Sequence, residues 1–205
     1  MLNSKGFDLW ADGYDKSVGM SDEDGTYPFA GYKQILNAIY NRVLTSKSNT
    51  VMDIGFGTAT LTAKLYEQGC YIWGQDFSRK MIELAKKKMP KAELFQGDFS
   101  KGLVDEFIHN KYDAVIATYS LHHLSDEQKI HLIKKILPLL NDGGCLYIGD
   151  IMFETRTELE RQKTLIGEEW DDDEFYFVVD ELIKFIPQVK YEKFSFCAGL
   201  LSIKG

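Results

Sequence analysis

The sequence predicts an α/β fold built on a doubly wound, mostly parallel sheet, and three observations support this. Strand-like apolar runs alternate with helical patterns from residue 50 to residue 151. Residues 51–62, VMDIGFGTATLT, pass from an apolar strand through two glycines into a helix. Two further strand-like segments follow residue 186. Because strand–helix alternation requires crossover connections of one hand, we expect one open sheet with helices on both faces.

The predicted elements follow in order along the chain. Apolar side chains at helical spacing predict a first helix over residues 32–44, with Ile35, Ile39 and Val43 on one face. Later helices are predicted from the cap at Ser78 and from the capping box at Ser125. The predicted strands are residues 50–54, 71–75, 92–95, 112–118, 145–151, 189–196 and 198–203. The remaining helices are predicted near residues 58–68, 78–88, 125–140, 154–169 and 175–185.

The length and composition indicate one domain over residues 1–205, since typical domains have about 100–200 residues. Hydrophobic residues make up 44% of the chain and charged residues 27%, as in ordinary globular proteins. We divide the domain into an N-terminal helical cap (1–45), a ligand-binding core (50–151), a variable helical segment on the substrate side (152–186) and a terminal strand hairpin (187–205).

Charge and cysteine usage limit the partners and the compartment. The net charge of −7 provides no basic field for nucleic acid. The three cysteines are far apart and fit neither a zinc site nor a disulfide framework, so a reducing cytoplasm is predicted. No apolar run has the length of a signal peptide or a membrane span, and no membrane partner is expected. No hydrophobic stripe stands apart from the predicted core, so no particular oligomeric state is predicted.

The glycine loop after the first strand predicts a binding site for a nucleotide-like ligand. Asp53 ends the strand, and Gly55 and Gly57 follow before the helix begins. A helix N-terminus behind a glycine turn offers backbone N–H groups to a polar ligand. The dinucleotide pattern G-x-G-x-x-G is not complete, because its third glycine position holds Thr60. Loops of this kind occur in many α/β proteins, so the loop alone does not name the ligand.

Acidic residues follow the ends of three successive strands. Asp53 is followed by Asp76, 23 positions later, and then by Asp98 after the third strand. In a doubly wound sheet, ligands bind beyond the carboxyl ends of the strands, and an acid about 20 residues after the loop binds ribose hydroxyls. Each acid alone could instead cap a helix or stabilise a turn. Three in succession favour a ligand site.

These motifs together resemble those of class I S-adenosylmethionine-dependent methyltransferases. The acid before the first glycine matches the family, and Ala59 stands where the family usually has a third glycine. Further matching segments are Tyr112-Asp113-Ala114-Val115, Leu121-His122-His123-Leu124, Asn141-Asp142-Gly143-Gly144 and Trp10-Ala11-x-x-Tyr14-Asp15. The resemblance implies a seven-stranded Rossmann-like sheet whose last strand is antiparallel.

The resemblance also implies S-adenosylmethionine as cofactor and assigns residues to it. Gly55 and Gly57 would approach the methionine moiety, Asp76 would bind the ribose and Asp98 the adenine amine. Phe77, Met81 and Phe99 would flank the adenine ring. Trp10 and Tyr14 would place aromatic faces near the sulfonium, or anchor an N-terminal helix. The predicted cofactor-binding set is Trp10, Tyr14, Asp53, Gly55, Gly57, Thr58, Asp76, Phe77, Met81, Asp98, Phe99 and Thr118.

The histidine pair after the fourth strand supplies the one candidate catalytic residue. His122 is predicted to accept a proton from the acceptor or to orient it. The alternative is that one histidine packs against the sheet while the other caps a loop. The acidic run at residues 171–174 lacks the spaced ligands of a calcium loop and is interpreted as a solvated turn, so no metal site is predicted.

The predicted function is methyl transfer from S-adenosylmethionine to a small-molecule acceptor. One alternative is a non-catalytic protein that binds S-adenosylmethionine or S-adenosylhomocysteine, since Ala59 alters the loop. An RNA or protein methyltransferase is a weaker alternative, because Thr118-Tyr119-Ser120-Leu121 replaces the Asn/Asp-Pro-Pro-Tyr motif that the family uses for planar amines. A nicotinamide oxidoreductase is weaker still, because neither the third glycine nor a Tyr-x-x-x-Lys pair is present.

Overall fold

The computed structural model describes residues 25–46 and 48–205. The strands are β1 Thr50–Ile54, β2 Tyr71–Asp76, β3 Glu93–Gln96, β4 Tyr112–Thr118, β5 Leu140–Phe153, β6 Phe177–Val178, β7 Lys190–Lys193 and β8 Ala198–Lys204. The α-helices are α1 Tyr32–Thr45, α2 Thr60–Glu67, α3 Arg79–Lys88, α4 Asp105–Ile108, α5 Asp126–Ile136, α6 Arg156–Ile166 and α7 Val179–Leu182. Short 3₁₀ turns cover Leu121–His123, Leu137–Leu139 and Gly167–Glu169.

The sheet has the order β3-β2-β1-β4-β5-β8-β7, and β6 pairs in parallel with the end of β5. Strands β1 to β5 are parallel, whereas β8 runs antiparallel to both β5 and β7. This confirms the predicted doubly wound, mostly parallel sheet with an antiparallel last strand. The strand order reverses between β1 and β4, where a crevice opens at the carboxyl ends of the strands.

The first helix packs as its sequence pattern predicts. Ile35, Leu36, Ile39 and Val43 are buried on one face of α1. That face lies against β5, where a side chain at Gly149 would meet Ile35 Cγ2 at 2.3 Å. The glycine therefore allows a close approach of the helix to the sheet.

Two helices begin at the predicted caps. Met81 N donates to Ser78 Oγ at 3.2 Å at the start of α3. Ser125 and Gln128 form a reciprocal capping box at the start of α5. Each cap satisfies backbone N–H groups that would otherwise lack a partner in the first helical turn.

Several parts of the chain differ from the prediction: helix α4 was not predicted, and β5 begins at Leu140 instead of residue 145. The segment predicted as a helix over residues 175–185 forms strand β6 and the short helix α7, because Phe177 and Val178 pair with the end of β5. Helix α5 buries the charged side chain of Lys129, whereas the neighbouring Ile130 is only partly buried. The Lys129 ammonium donates to the Phe175 carbonyl and lies 4.5 Å from the Phe177 ring centroid. Within the described ranges, no helix combines the length and the apolar character needed to cross a bilayer.

Candidate active site

One cavity lies at the carboxyl ends of β1, β2 and β4, where the strand order reverses. It brings together nine residues of the predicted cofactor-binding set. They are Asp53, Gly55, Gly57, Thr58, Asp76, Phe77, Met81, Phe99 and Thr118. Residues that the sequence analysis did not select also line it, among them Tyr32, Tyr119, Ser120 and His123. Trp10 and Tyr14 lie outside the described residues.

The glycine loop needs glycine at its first position for two reasons. Gly55 has φ +71°, which a residue with a side chain rarely adopts. A Cβ atom at Gly55 would also lie 2.5 Å from Ser120 Cβ and 3.2 Å from Phe99 Cε1. Ala59 has φ +60° and ψ +37°, so the alanine takes the left-handed conformation that a glycine would favour there. The departure from the family pattern therefore leaves the loop conformation intact.

Asp76 connects the end of β2 to the glycine loop. Its Oδ2 accepts from Gly57 N and its Oδ1 accepts from Ser78 N, both at 2.9 Å. The side chain is buried, with 4% exposure, and it lines the cavity. A carboxylate that lines the cavity can accept hydrogen bonds from a ligand.

Asp53 is a buried acid with one oxygen available. Thr62 Oγ1 donates to its Oδ2, while its Oδ1 has no hydrogen-bond partner among the described residues. Burial disfavours the charged form, and with the nearby Asp76 charge it raises the pKa of Asp53 to about 7, although the Thr62 hydrogen bond opposes this. A cationic or N–H group in the cavity would satisfy the Oδ1 atom and favour the carboxylate.

Asp98 does not line the cavity, although its neighbour Phe99 does. Its Oδ1 accepts from Ser100 N at 3.0 Å, and its Oδ2 lies 3.0 Å from Lys101 Nζ. Partial burial opposes ionisation, but the hydrogen bonds from Ser100 and the ion pair with Lys101 outweigh it and lower the pKa of Asp98. In this geometry the carboxylate stabilises a turn.

The histidine pair lies beside the cavity with two acids. His122 Nδ1 is 2.6 Å from Asp150 Oδ1, and both side chains are buried. His122 Nε2 is 3.4 Å from Glu174 Oε1, and His123 Nδ1 is 3.9 Å from the same oxygen. His123 lines the cavity, whereas His122 does not.

The electrostatics of the two imidazoles differ. Burial alone would lower the pKa of His122, but the carboxylates of Asp150 and Glu174 outweigh it and raise that pKa. Burial and the adjacent His122 lower the pKa of His123 to about 3. The two carboxylates therefore favour the charged form of His122, whereas His123 is a neutral imidazole at physiological pH.

Aromatic side chains from distant segments pack beside the histidines. Trp170 stacks on Tyr27 at 5.8 Å between ring centroids and meets Tyr176 edge-on at 4.8 Å. The hydroxyls of Tyr27 and Tyr176 are hydrogen-bonded to each other. The centroid of the Tyr176 ring also lies 6.5 Å from that of the His122 ring, so residues 152–186 contribute to the surroundings of the histidines.

Sequence reasoning missed Tyr119, Asp150 and Glu174 near this site. Tyr119 directly follows β4 and has φ +50°, and its ring lies 5.0 Å from that of Tyr32. Its position next to the predicted Thr118 was the available signal. In the sequence, Asp150 lies within a predicted buried strand and Glu174 is one of four adjacent acids. Neither position has a local motif that indicates a functional site.

Comparison with known proteins identifies the family. A methyltransferase-domain family matches residues 51–144. An uncharacterized methyltransferase of Anoxybacillus flavithermus is 36% identical over 154 residues, which cover 75% of this chain and 69% of that protein. One from Alkaliphilus oremlandii is 30% identical over 176 residues, covering 86% and 78% of the two chains.

Solved structures share the fold. The magnesium protoporphyrin IX methyltransferase of Synechocystis with bound S-adenosylhomocysteine has a TM-score of 0.67 at 18% identity, covering 86% of this chain and 85% of that one. An S-adenosylmethionine-dependent methyltransferase from Clostridium acetobutylicum has a TM-score of 0.68 at 16% identity, covering 94% and 99%. With the glycine loop, the strand-end acids and the sheet order in place, the chain belongs to the class I S-adenosylmethionine-dependent methyltransferases.

Proposed function

We propose that this protein transfers the methyl group of S-adenosylmethionine to a small-molecule acceptor. The observation that carries the proposal is that one cavity contains both the glycine-loop residues and the side chains of Tyr32, Tyr119 and His123. Donor and acceptor would therefore meet in the same space. Holding two reactants in such a geometry can supply about 7–11 kcal/mol of the barrier in well-oriented cases.

The residues of the cavity fit the cofactor. Asp53 offers a buried oxygen without a partner among the described residues, which suits the ammonium of the methionine moiety. The Asp76 carboxylate lines the cavity and can accept from ribose hydroxyls, and Phe77, Met81 and Phe99 offer apolar surface for the adenine. When bound, the cofactor supplies a methyl group already activated on its sulfonium. The chain's own residues bind it, orient it and limit the access of water.

The adenine amine is the one cofactor group whose predicted partner needs a rearrangement. We retain Asp98 as its predicted acceptor, and this role requires the carboxylate, which accepts from Ser100 outside the cavity, to turn toward the ligand. Thr58 and Thr118 line the cavity and are proposed to complete the cofactor site.

A small acceptor fits the charge and the sequence better than a polymer. The net charge of −7 gives no basic field to attract a nucleic acid backbone. The residues after β4 are Thr118-Tyr119-Ser120-Leu121, without the motif that the family uses for planar amines. Tyr119 and Ser120 instead place two hydroxyl-bearing side chains at this end of the cavity.

His122 is our predicted base or orienting residue, and its surroundings favour the orienting role. Asp150 fixes the ring through Nδ1, and the carboxylates of Asp150 and Glu174 raise its pKa and so favour the protonated form when no metal is bound. A protonated imidazole donates hydrogen bonds and cannot accept a proton. An acceptor that arrives as an anion or an unprotonated amine needs no base.

A non-catalytic binding protein is the second candidate, and Ala59 was the reason to consider it. The left-handed backbone of Ala59 preserves the loop conformation, which favours a working cofactor site. A methyltransferase moves the methyl group of S-adenosylmethionine to an acceptor, whereas a non-catalytic binding protein does not, so a labelled methyl group distinguishes the two candidates.

The first experiment measures cofactor binding by calorimetry. The protein is titrated with S-adenosylmethionine and S-adenosylhomocysteine, with NAD as the control ligand. Micromolar binding of both sulfur nucleosides is expected, with at least a tenfold loss in Asp76→Asn and no loss in the exposed control Asp142→Asn. Failure to bind either nucleoside would refute the proposed function.

The second experiment identifies the acceptor class. Purified protein and methyl-labelled S-adenosylmethionine are incubated with a cell extract separated into small molecules, RNA and protein. Label in the small-molecule fraction is expected and should disappear in Asp76→Asn. Label confined to the RNA or protein fraction would refute the small acceptor, and cofactor binding without transfer to any fraction would favour the non-catalytic candidate.

A further inference from the structure

Three side chains beside the cavity form a cluster of metal-ligating atoms. His122, His123 and Glu174 each offer one ligand atom, and these atoms all lie within 4.8 Å of one another. The Glu174 oxygen is 3.4 Å from His122 Nε2 and 3.9 Å from His123 Nδ1. All three side chains are at least partly buried, with exposures of 8%, 22% and 19%.

The distances are close to those of a bound ion. Bonds of about 2.0–2.2 Å to nitrogen and oxygen place two ligand atoms of a tetrahedral site about 3.4 Å apart. Of the three pairs of ligand atoms, the Glu174–His122 pair already has this separation, and the Glu174–His123 pair exceeds it by about half an ångström. The two histidine atoms lie within 4.8 Å of each other.

The donor set is one that transition metals prefer. Two imidazoles and one carboxylate bind Zn²⁺ in several enzymes and Fe²⁺ in the facial triad, in each case with coordination positions left open. Calcium and magnesium prefer oxygen ligands alone and are disfavoured by two imidazole nitrogens.

The first histidine has the outer partner that a metal-binding histidine usually has. Asp150 Oδ1 lies 2.6 Å from His122 Nδ1, which leaves Nε2 for the ion. The carboxylate is itself held in place, because it accepts from Leu121 N at 3.1 Å and Ile151 N at 2.8 Å. Asp150 is fully buried, so this orientation is fixed by the core of the protein.

The backbone also holds the two parts of the cluster together. His122 and His123 lie in the 3₁₀ turn after β4, and Glu174 directly precedes β6. Phe175 N donates to the His122 carbonyl at 2.8 Å and so ties the carboxylate segment to the histidine turn. The cluster is therefore positioned by hydrogen-bonded backbone.

From this geometry we propose that His122, His123 and Glu174 bind one divalent transition-metal ion such as Zn²⁺, with Asp150 as a positioning residue. This departs from the sequence-based prediction that no metal site is present. Since His123 also lines the cavity, an open coordination position would suit an oxygen, nitrogen or sulfur atom of the acceptor and lower its pKa. That last role rests on the proposed function, whereas metal binding does not.

The test is a metal titration of the full chain after removal of any affinity tag and treatment with a chelator. Zn²⁺ is added in the calorimeter, and Co²⁺ is added with visible absorption as the readout of nitrogen and oxygen ligands. We expect one equivalent of each ion to bind. Glu174→Gln and His123→Asn should each weaken binding at least tenfold, and Asp150→Asn by about 10–100-fold.

Matched controls are available on helix α5. His131→Asn and Glu127→Gln change the same residue types at exposed positions and should bind Zn²⁺ as the wild type does. Circular dichroism and S-adenosylhomocysteine affinity of Glu174→Gln report whether the fold and the cofactor site survive.

The outcomes separate this proposal from the proposed function. If no ion binds at one equivalent, or if binding is the same in Glu174→Gln and His123→Asn, the metal site is refuted, whatever the cofactor affinity. If Zn²⁺ binds as expected but neither sulfur nucleoside binds, the metal site stands and the proposed function is refuted.

Discussion

Binding of S-adenosylhomocysteine should release a proton from Asp53 below pH 8. The free protein holds this carboxyl with a pKa of about 7, so about 0.9 proton is bound at pH 6 and about 0.1 at pH 8. A ligand ammonium beside the oxygen that lacks a partner among the described residues would favour the charged form and lower the pKa by about two units. We therefore expect release of about 0.8 proton at pH 6 and about 0.1 at pH 8.

The same linkage predicts how affinity depends on pH. A shift of two units corresponds to about 3 kcal/mol of differential interaction between the two protonation states. Because most of the free protein must lose its proton at pH 6, the ligand should bind about tenfold more weakly there than at pH 8.

The assay is calorimetry at one pH in two buffers of different ionisation enthalpy, which gives the number of protons released. The matched variant is Asp53→Asn, whose amide oxygen can still accept from Thr62. Proton release should disappear in this variant. Equal release in wild type and Asp53→Asn, or none in the wild type at pH 6, would refute the assignment to Asp53.

In the ligand-free protein, the same raised pKa of Asp53 should make the free energy of unfolding depend on pH. Asp53 binds its proton more tightly in the folded chain than in the unfolded chain, where the pKa is 3.8. Ionisation therefore costs stability, and the free energy of unfolding should fall by about 3 kcal/mol between pH 4 and pH 7 on account of this group. Urea unfolding of Asp53→Asn should lack that part of the decline, and a decline of the same size in both proteins would contradict the prediction.

Three further predictions concern the loop and the thiols. Gly55→Ala should destabilise the fold by about 2–4 kcal/mol in urea unfolding and abolish cofactor binding, because the added methyl meets Ser120 in a left-handed backbone; wild-type stability would contradict this. Ala59→Gly should change the free energy of unfolding by less than about 1 kcal/mol. The glycine relieves the strain of the left-handed backbone, but it loses the buried methyl group and gives the unfolded chain more conformational entropy. A larger loss of stability would show that the methyl group is needed. Burial raises the pKa of all three cysteine thiols, which belong to Cys70, Cys145 and Cys197. A thiol reagent at pH 8 should therefore label the native chain slowly and the urea-unfolded chain at once. Fast labelling of the native chain would refute this prediction.

The parts of the fold that could be predicted are those with short-range causes. Strand β1 occupies the predicted residues 50–54. Its carboxyl end is predictable because the apolar run stops at the glycine turn that begins at Gly55. The caps at Ser78 and Ser125 are local as well, since donor and acceptor lie three residues apart. Nine predicted cofactor-site residues meet in one cavity because the carboxyl ends of parallel strands share one edge.

The parts that could not be predicted depend on contacts between distant segments. Lys129 is buried because the Phe175 carbonyl and the Phe177 ring lie over it, and neither is near it in sequence. Glu174 is partly buried beside the histidines, unlike the three exposed acids before it, and the hydrogen bond from Phe175 to His122 holds its segment there. No helical or strand period encodes such a pairing.

Strand β8 has a consequence for synthesis on the ribosome. It lies between β5 and β7 and pairs with β5 at seven positions, from Cys145 opposite Lys204 to Ile151 opposite Ala198. Every other strand is translated before it. Until residues 198–204 leave the exit tunnel, the nascent chain carries β5 as an open sheet edge whose side chains, among them Leu146 and Ile148, are fully buried in the finished fold. A ribosome stalled before this point would hold a chain whose cofactor loop is already complete but whose β5 edge is still unpaired. An unpaired apolar strand is prone to aggregation, so we expect chaperones to bind the nascent chain at this stage.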